Sequence, residues 1–220
     1  MKARPISMHA RSVRNILAGL KTQTRRIIKP QPAGAFGRDF MVWSDHGGLL
    51  HVGTRPCPYG RPGDLLWVRE TFRASRLGGD PGSKTYGAKG SGVAIDYTAD
   101  KSACNFNEPD WRDAFSHEKN RPPRHMPRWA SRLTLRILDV RAHQVQAVGL
   151  NDIMAEGWRP KESGSSVEAD ADAARDWWMD VWDDTNGKGA WKKNDWVFAI
   201  VFDVLQDNID AAMKRLQEAA

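Results

Sequence analysis

Residues 196–205, WVFAIVFDVL, are almost continuously apolar and rich in β-branched and aromatic side chains. A strand that alternates apolar with polar residues buries one face, whereas a strand without alternation is covered on both. The fold must therefore be built around a central strand with material packed on either side of it.

The rest of the chain supplies that material in an irregular order. Val13, Ile16, Leu17 and Leu20 recur at helical spacing with Gly19 placed to stop the helix, which predicts a first helix at 9–19. The segment KTQTRRIIKPQP then runs extended until Pro30 and Pro32. Two apolar runs around Asp45-His46-Gly47-Gly48 read as a hairpin within 40–53, and LLWVRETF as a strand at 65–72. Residues 73–92 read as a mobile surface loop, 92–99 as a short strand and 100–128 as irregular. In RLTLRILDVRAHQV, Leu133, Leu135 and Ile137 share one face and Leu138 and Val140 the other, so a bulge or two-sided burial is expected near 137–138.

Asn151 or Asp152 is placed to cap a short helix running through Glu156. The acidic stretch 167–184 reads as a longer helix with Ala174, Trp178 and Val181 inward, and Trp177 and Trp182 widening that face. Five or six strands with helices at the start, middle and end, and no regular βαβ alternation, predict an α+β fold around a curled mixed sheet. The expected organisation is one domain over 1–205 with insertions near 73–92 and 100–128, followed by a C-terminal helix at 206–220 that carries Ile209, Ala212, Met213 and Leu216.

Charge narrows the class of function. The net charge is +6, and the first 39 residues carry nine Lys or Arg against the single acid Asp39, while 168–184 hold seven acids against Arg175. One surface is thus expected to attract polyanions and another to avoid them, since Lys and Arg contacts to phosphate supply most sequence-independent nucleic-acid affinity. The N-terminal MKARPISMHARSVRN lacks the apolar run of a secretory signal, and no stretch reaches the length of a membrane span. Two cysteines, Cys57 and Cys104, make neither a disulfide framework nor a zinc or redox motif, so a cytoplasmic protein without membrane contact is expected. Cys57, Cys104, His117 and His125 match no compact ligand spacing, and neither a metal nor a cofactor is expected.

The densest group of functional side chains is Gly19-Leu20-Lys21-Thr22-Gln23-Thr24-Arg25-Arg26, where a helix meets an extended segment. The run ILAGLKTQTRR resembles the helix-then-GxKTxTxR signature of ASCH domains, a branch of the PUA-like superfamily. PGDLLWVRETF at 62–72, HMPRWASRLTLRILDV at 125–140, the AEGW around Glu156 and the closing WVFAIVFDVL are similar to the longer ASCH proteins of bacteria and their prophages. The resemblance implies a small β-barrel with flanking helices and a cleft between the first helix and the barrel, of the kind associated with RNA or modified nucleobases. In that cleft Lys21, Thr24, Arg25 and Arg26 would line the site.

A few small ASCH proteins are amidohydrolases that deacylate N4-acylated cytidine with a Lys and Thr three residues apart plus a Glu. Lys21 and Thr24 match that pair, and Glu156 is the best match to the acid. The chemistry is sound: a base must take the proton of a Thr hydroxyl before it attacks, and a lysine can do so when burial lowers its pKa. Residues three apart lie on opposite faces of a regular strand, so the chain must turn between Lys21 and Thr24 for a joint role. This chain is about twice the length of those enzymes, and its inserts could reshape the cleft.

A second constellation, Arg121, Arg124, Arg128, Arg132, Arg136 and Arg141 with His125 and Trp129, suits phosphate contact and base stacking. Its plain alternative is a solvent-facing strand edge. Arg124 and Arg128, with Trp43 and Trp129 as stacking rings, are taken as further nucleic-acid contacts, and Glu70 as an exposed or ion-paired acid. The expected function is binding of RNA or a modified nucleobase. The alternatives are the amidohydrolase and a phage or host interaction module that uses the acidic, Trp-rich helix.

Overall fold

A computed structural model describes residues 1–31, 42–43, 49–50, 56–76, 93–106, 119–160 and 167–219. The described elements run β1 (Ala3–Ser7), α1 (Ala10–Leu17), β2 (Gln23–Ile27), β3 (Val42–Trp43), β4 (Leu49–Leu50), β5 (Leu65–Arg69), β6 (Phe72–Arg76), β7 (Val93–Tyr97), β8 (Ala103–Phe106), β9 (Thr134–Gln144), α2 (Leu150–Ala155), α3 (Val167–Asn186), α4 (Ala190–Lys193), β10 (Trp196–Leu205) and α5 (Ile209–Glu218). None of the described helices is long and apolar enough to cross a membrane.

The expected α+β class is what the chain adopts. The largest sheet has the order β1-β5-β9-β10-β2, so β10 has a neighbour on each side, as its uninterrupted apolar run requires. Val197, Phe198, Ala199 and Ile200 are all buried in succession. Pairing in this sheet is mixed. The bonds from Leu65 N–H to Lys2 O and from Met8 N–H to Arg69 O advance together along β1 and β5, whereas β10 and β2 are antiparallel. Two smaller sheets, β3-β4 and β6-β7-β8, are separate from it. Among the described residues the strands form these open sheets and not the closed small barrel that the family resemblance implies.

Several local expectations need correction. LLWVRETF is not one strand: it breaks at Glu70 and Thr71 into β5 and β6, which belong to different sheets. Residues 73–76, expected in a loop, complete β6, and 103–106, expected to be irregular, form β8. In β9 the two-sided burial falls at Asp139 and Val140, and Leu138 is exposed. Helix α2 is preceded by Gly149 with no side-chain cap, so neither Asn151 nor Asp152 caps it. The expected turn at 45–48 lies outside the described residues.

The chain divides into two compact units, one of Met1–Arg4, Asn15–Leu66 and Leu135–Leu205, the other of Pro5–Arg14, Trp67–Thr134 and Gln206–Ala220. The core of the first contains Trp158, Ala174, Trp178, Trp182, Trp191 and Val197, with Trp177 and Val181 packed at its edge. The inward face read from the α3 sequence is therefore the face that packs. The core of the second unit joins Phe72, Ile95, Tyr97, Met126 and Ala130, with Trp129 against it.

Candidate functional site

The site begins where α1 ends. Gly19 takes φ +69 and donates its N–H to Ile16 O, a left-handed stop that costs a glycine little. Asn15 O then accepts from the N–H groups of both Leu20 (2.8 Å) and Lys21 (3.1 Å), folding the chain back at once. From Thr22 onward the backbone is held on both sides: Thr22 N–H donates to Ala155 O, and Thr22 O accepts from Phe202 N–H. The turn thus lies at Lys21 and the ladder starts immediately after it, with Thr24 opposite Ile200.

Lys21 and Glu156 are buried together, and the Lys21 ammonium donates to a Glu156 carboxylate oxygen. Arg25 Nη1 donates to the other oxygen, Oε1, at 2.8 Å. The Arg25 side chain is fully enclosed and lies over the Trp178 ring, 5.5 Å from its centroid. Its Nη2 stands 3.4 Å from Asp152, whose carboxylate also accepts from Gln23 Nε2 at 3.2 Å. Gln23 and Arg25 are two apart on β2 and so share a face, the one that meets α2 and the residue following it. Asp152, expected to cap α2, serves this cluster instead.

Burial holds the Lys21 amine below its ordinary lysine value; the ion pair with Glu156 opposes that pull, and the charges of Arg26 and Arg25 reinforce it. Satisfaction in the cluster is incomplete. Among the described residues, Gln23 Oε1 and Arg25 Nε are buried with no hydrogen-bond partner. The Lys21 and Glu156 segments also meet through Gly157, whose φ of +111 excludes ordinary side chains and whose missing Cβ would strike the Asn15 amide.

Thr24 is buried but alternates to the opposite face from Gln23 and Arg25, and no hydrogen bond joins its hydroxyl to Lys21 or Glu156. Arg26 shares that face, with its guanidinium 5.9 Å from the Tyr59 ring centroid. Burial lowers the Arg26 pKa, and the nearby Tyr59 and Glu156 oppose the shift. Arg26, Ile27, Lys29, Pro58, Tyr59 and Asn186 line a cavity of about 360 Å3. Tyr59 and Lys29 carried no signal as single residues in the sequence; only the pairing of β2 with β10 and the turn before β5 bring them into view.

The second arginine constellation belongs to the second unit except for Arg136 and Arg141, and acids occupy most of it. Arg128 is held by Asp210 through Nε (3.1 Å) and Nη2 (2.7 Å), and Arg136 by Asp203 at 2.7 Å. Arg141 bonds Asp139 at 2.5 Å. Arg132 uses all five donors: two on Glu70 (2.8 and 2.9 Å), two on Asp100 (2.8 and 3.1 Å) and one on Ser102 (2.6 Å). Its guanidinium also lies 4.0 Å from the Tyr97 ring centroid. Glu70 is ion-paired, as the sequence allowed, but almost fully buried. Arg124 Nε meets His125 Nε2 at 3.1 Å, and Trp129 packs on the core cluster of its unit. Trp43 lies in β3, and its side chain falls outside the described residues.

No group of three metal-ligating side chains occurs among the described residues. Cys57 is buried, which pushes its thiol up to about 11, and Cys104 is exposed. Comparison of the chain with family models, with curated proteins and with solved structures finds no match.

Proposed function

We propose that this chain is a PUA-like ASCH domain that binds RNA or a modified nucleobase through the region around β2. The observation that carries the reading is the concentration, on that strand and the turn before it, of buried polar groups left incompletely satisfied. An ion pair taken out of water is a poor source of stability, so a lysine, an arginine and the Glu156 carboxylate placed together away from solvent, with the half-buried Asp152 at their edge, argue for chemistry or recognition. The signature GLKTQTRR, on which the family resemblance rests, is the segment that forms this cluster. Arg26 links the cluster to the neighbouring cavity, because Lys21 senses its charge and it senses that of Glu156.

A second reading, the N4-acylcytidine amidohydrolase, is favoured by one specific feature: burial depresses the Lys21 pKa while a carboxylate holds the amine. In that mechanism Lys21 takes the Thr24 hydroxyl proton, the alkoxide attacks the acyl carbonyl and expels the cytosine amine, which receives that proton by way of Glu156, and water then hydrolyses the acyl-Thr24 ester to release the carboxylic acid. The reaction requires Lys21 to turn from Glu156 toward Thr24 when substrate enters. The interaction-module reading has less to stand on, since Trp178 and Trp182 are in the core of their own unit.

The test is hydrolysis of N4-acetylcytidine by the protein beside Lys21→Ala and Thr24→Ala variants, together with salt-dependent RNA binding. Turnover lost in both variants establishes the enzyme. Binding without turnover, with a salt slope that falls when Arg26 is replaced, establishes the binding domain. Neither turnover nor binding overturns both.

A further inference from the structure

We infer that Arg25 is a positioning residue that holds the Glu156 carboxylate in place, and charged, while Lys21 swings away from it to act on Thr24. The inference rests on the amidohydrolase reading of this site and supplies a part that reading needs, since something must keep Glu156 when the lysine leaves.

The need follows from burial. The Glu156 side chain is 2% exposed, and Lys21 occupies one of its two oxygens. A carboxylate in such a place that loses its cation and finds no other takes up a proton or drags its segment toward water, because desolvation favours the neutral acid. Either event spoils the group that is to pass a proton to the departing amine. The geometry already provides a second hold. Arg25 Nη1 donates to Oε1 at 2.8 Å while Lys21 donates to Oε2, so each oxygen has its own cation and the lysine can withdraw without taking the arginine with it.

A guanidinium suits this task better than a second amine. It keeps its proton in a protein interior, so its hold on Glu156 stays constant as protons pass between Lys21, Thr24 and the leaving group. Arg25 is itself well fixed. Its backbone pairs in β2 opposite Ala199, its plane lies 5.5 Å from the Trp178 ring centroid, and its Nη2 stands 3.4 Å from Asp152, which Gln23 Nε2 bonds at 3.2 Å. Of the two acids, Glu156 is the closer and the more enclosed, so its contact with Arg25 is the less screened by water. Two further charged groups lie near. Arg26, on the other face of β2, feels the Glu156 charge, and His143 on β9 feels Arg25 and Asp152. Both are present in every variant compared below.

The experiment is nuclear magnetic resonance of the full chain at neutral pH, isotopically labelled at the glutamate carboxyl carbons, with the Glu156 signal identified by its loss in Glu156→Gln. Lys21→Met removes the lysine's hold permanently. Glu156 should then keep a carboxylate signal, move to the position of a protonated carboxyl when Arg25→Gln is added, and return when Arg25→Lys is added instead. An acid signal in Lys21→Met alone, or a carboxylate signal that survives the addition of Arg25→Gln, overturns the inference. A Lys21→Met/Arg25→Gln chain that fails to fold where Lys21→Met/Arg25→Lys folds supports it, because the two differ in the cation.

Turnover of N4-acetylcytidine gives a second readout on single variants. Arg25→Gln should lower kcat by about a hundredfold with KM little changed, and Arg25→Lys should recover most of the loss. Arg25→Gln should cost nothing further once Glu156→Gln is in place, since a residue that acts through Glu156 has nothing left to act on. Losses that add independently overturn the inference. A parent protein without turnover removes the amidohydrolase reading alone, and the Glu156 signal still decides whether Arg25 holds the carboxylate.

Discussion

Two charged clusters in this protein, each around a buried glutamate, are built from the same parts and finished differently. In one unit Arg132 holds Glu70 and Asp100, spending all five donors, with Tyr97 beneath its plane. In the other Arg25 and Lys21 share Glu156, with Trp178 beneath the guanidinium, but Arg25 Nε and Gln23 Oε1 are left without partners among the described residues. The first cluster is a closed network whose members specify one arrangement. The second retains unused hydrogen-bonding capacity and a lysine that burial inclines to lose its proton. The difference separates charges kept for architecture from charges held ready for something else.

The sharpest way to break this comparison is to remove one carboxylate from each cluster. Glu70→Gln leaves the half-buried Arg132 guanidinium, which cannot shed its proton, with Asp100 as its remaining acid, and should cost about 1–3 kcal/mol in denaturant unfolding. Glu156→Gln should cost less at pH 9 than at pH 6 because Lys21 can become neutral, while the share borne by the Arg25 guanidinium, which loses the same partner, should be equal at both. Equal costs of Glu156→Gln at the two pH values would remove the distinction.

A smaller effect follows from Lys21 itself. Its folded pKa lies below the unfolded value of 10.5, so between the two the unfolded chain holds more protons and stability rises with pH, by on the order of 1 kcal/mol per pH unit at most. Lys21→Met should flatten the melting-temperature profile between pH 7 and 10; a parallel profile would show that Lys21 titrates normally.

In the closed cluster, Asp100 is held at about 2 because the bonds from Arg132 and Ser102 outweigh burial. Its contribution is present above the ordinary aspartate value and is lost as pH falls from about 4 through about 2, about 1 kcal/mol after allowance for its partial exposure. Asp100→Asn should lack that acid transition in a melting series.

The smallest expected change is in Arg128→Ala. The exposed pair with Asp210 is worth less than about 1 kcal/mol, and RNA affinity should not move if Asp210 already occupies the guanidinium. A marked loss of RNA binding would return Arg128 to the interface.

What the sequence made legible was local. Val13, Ile16 and Gly19 defined α1, the uninterrupted apolar run defined β10, and Ala174, Trp178 and Trp182 defined the buried side of α3, because each pattern repeats with the period of its own element. The segment from Lys21 to Arg26 stood out by its density of functional groups. Its internal division did not, since Arg25 reads as a phosphate contact until burial shows it facing Glu156. The arginine row misled for the same reason: Glu70, Asp210 and Asp203 lie 62, 82 and 67 residues from their partners, beyond any periodic signal. The break after β5 escaped notice because the residue at the break, Glu70, is fixed by one of those distant partners.

Gly157 carries a further consequence. It has no functional group, yet it is the place where the turn bearing Glu156 comes against Asn15, the residue whose carbonyl orders Lys21. A survey of all single substitutions scored by function should therefore find Gly157 among the least tolerant positions, beside Lys21 and Glu156. A reader of such a map would be tempted to assign it a role in the chemistry, when what it contributes is room.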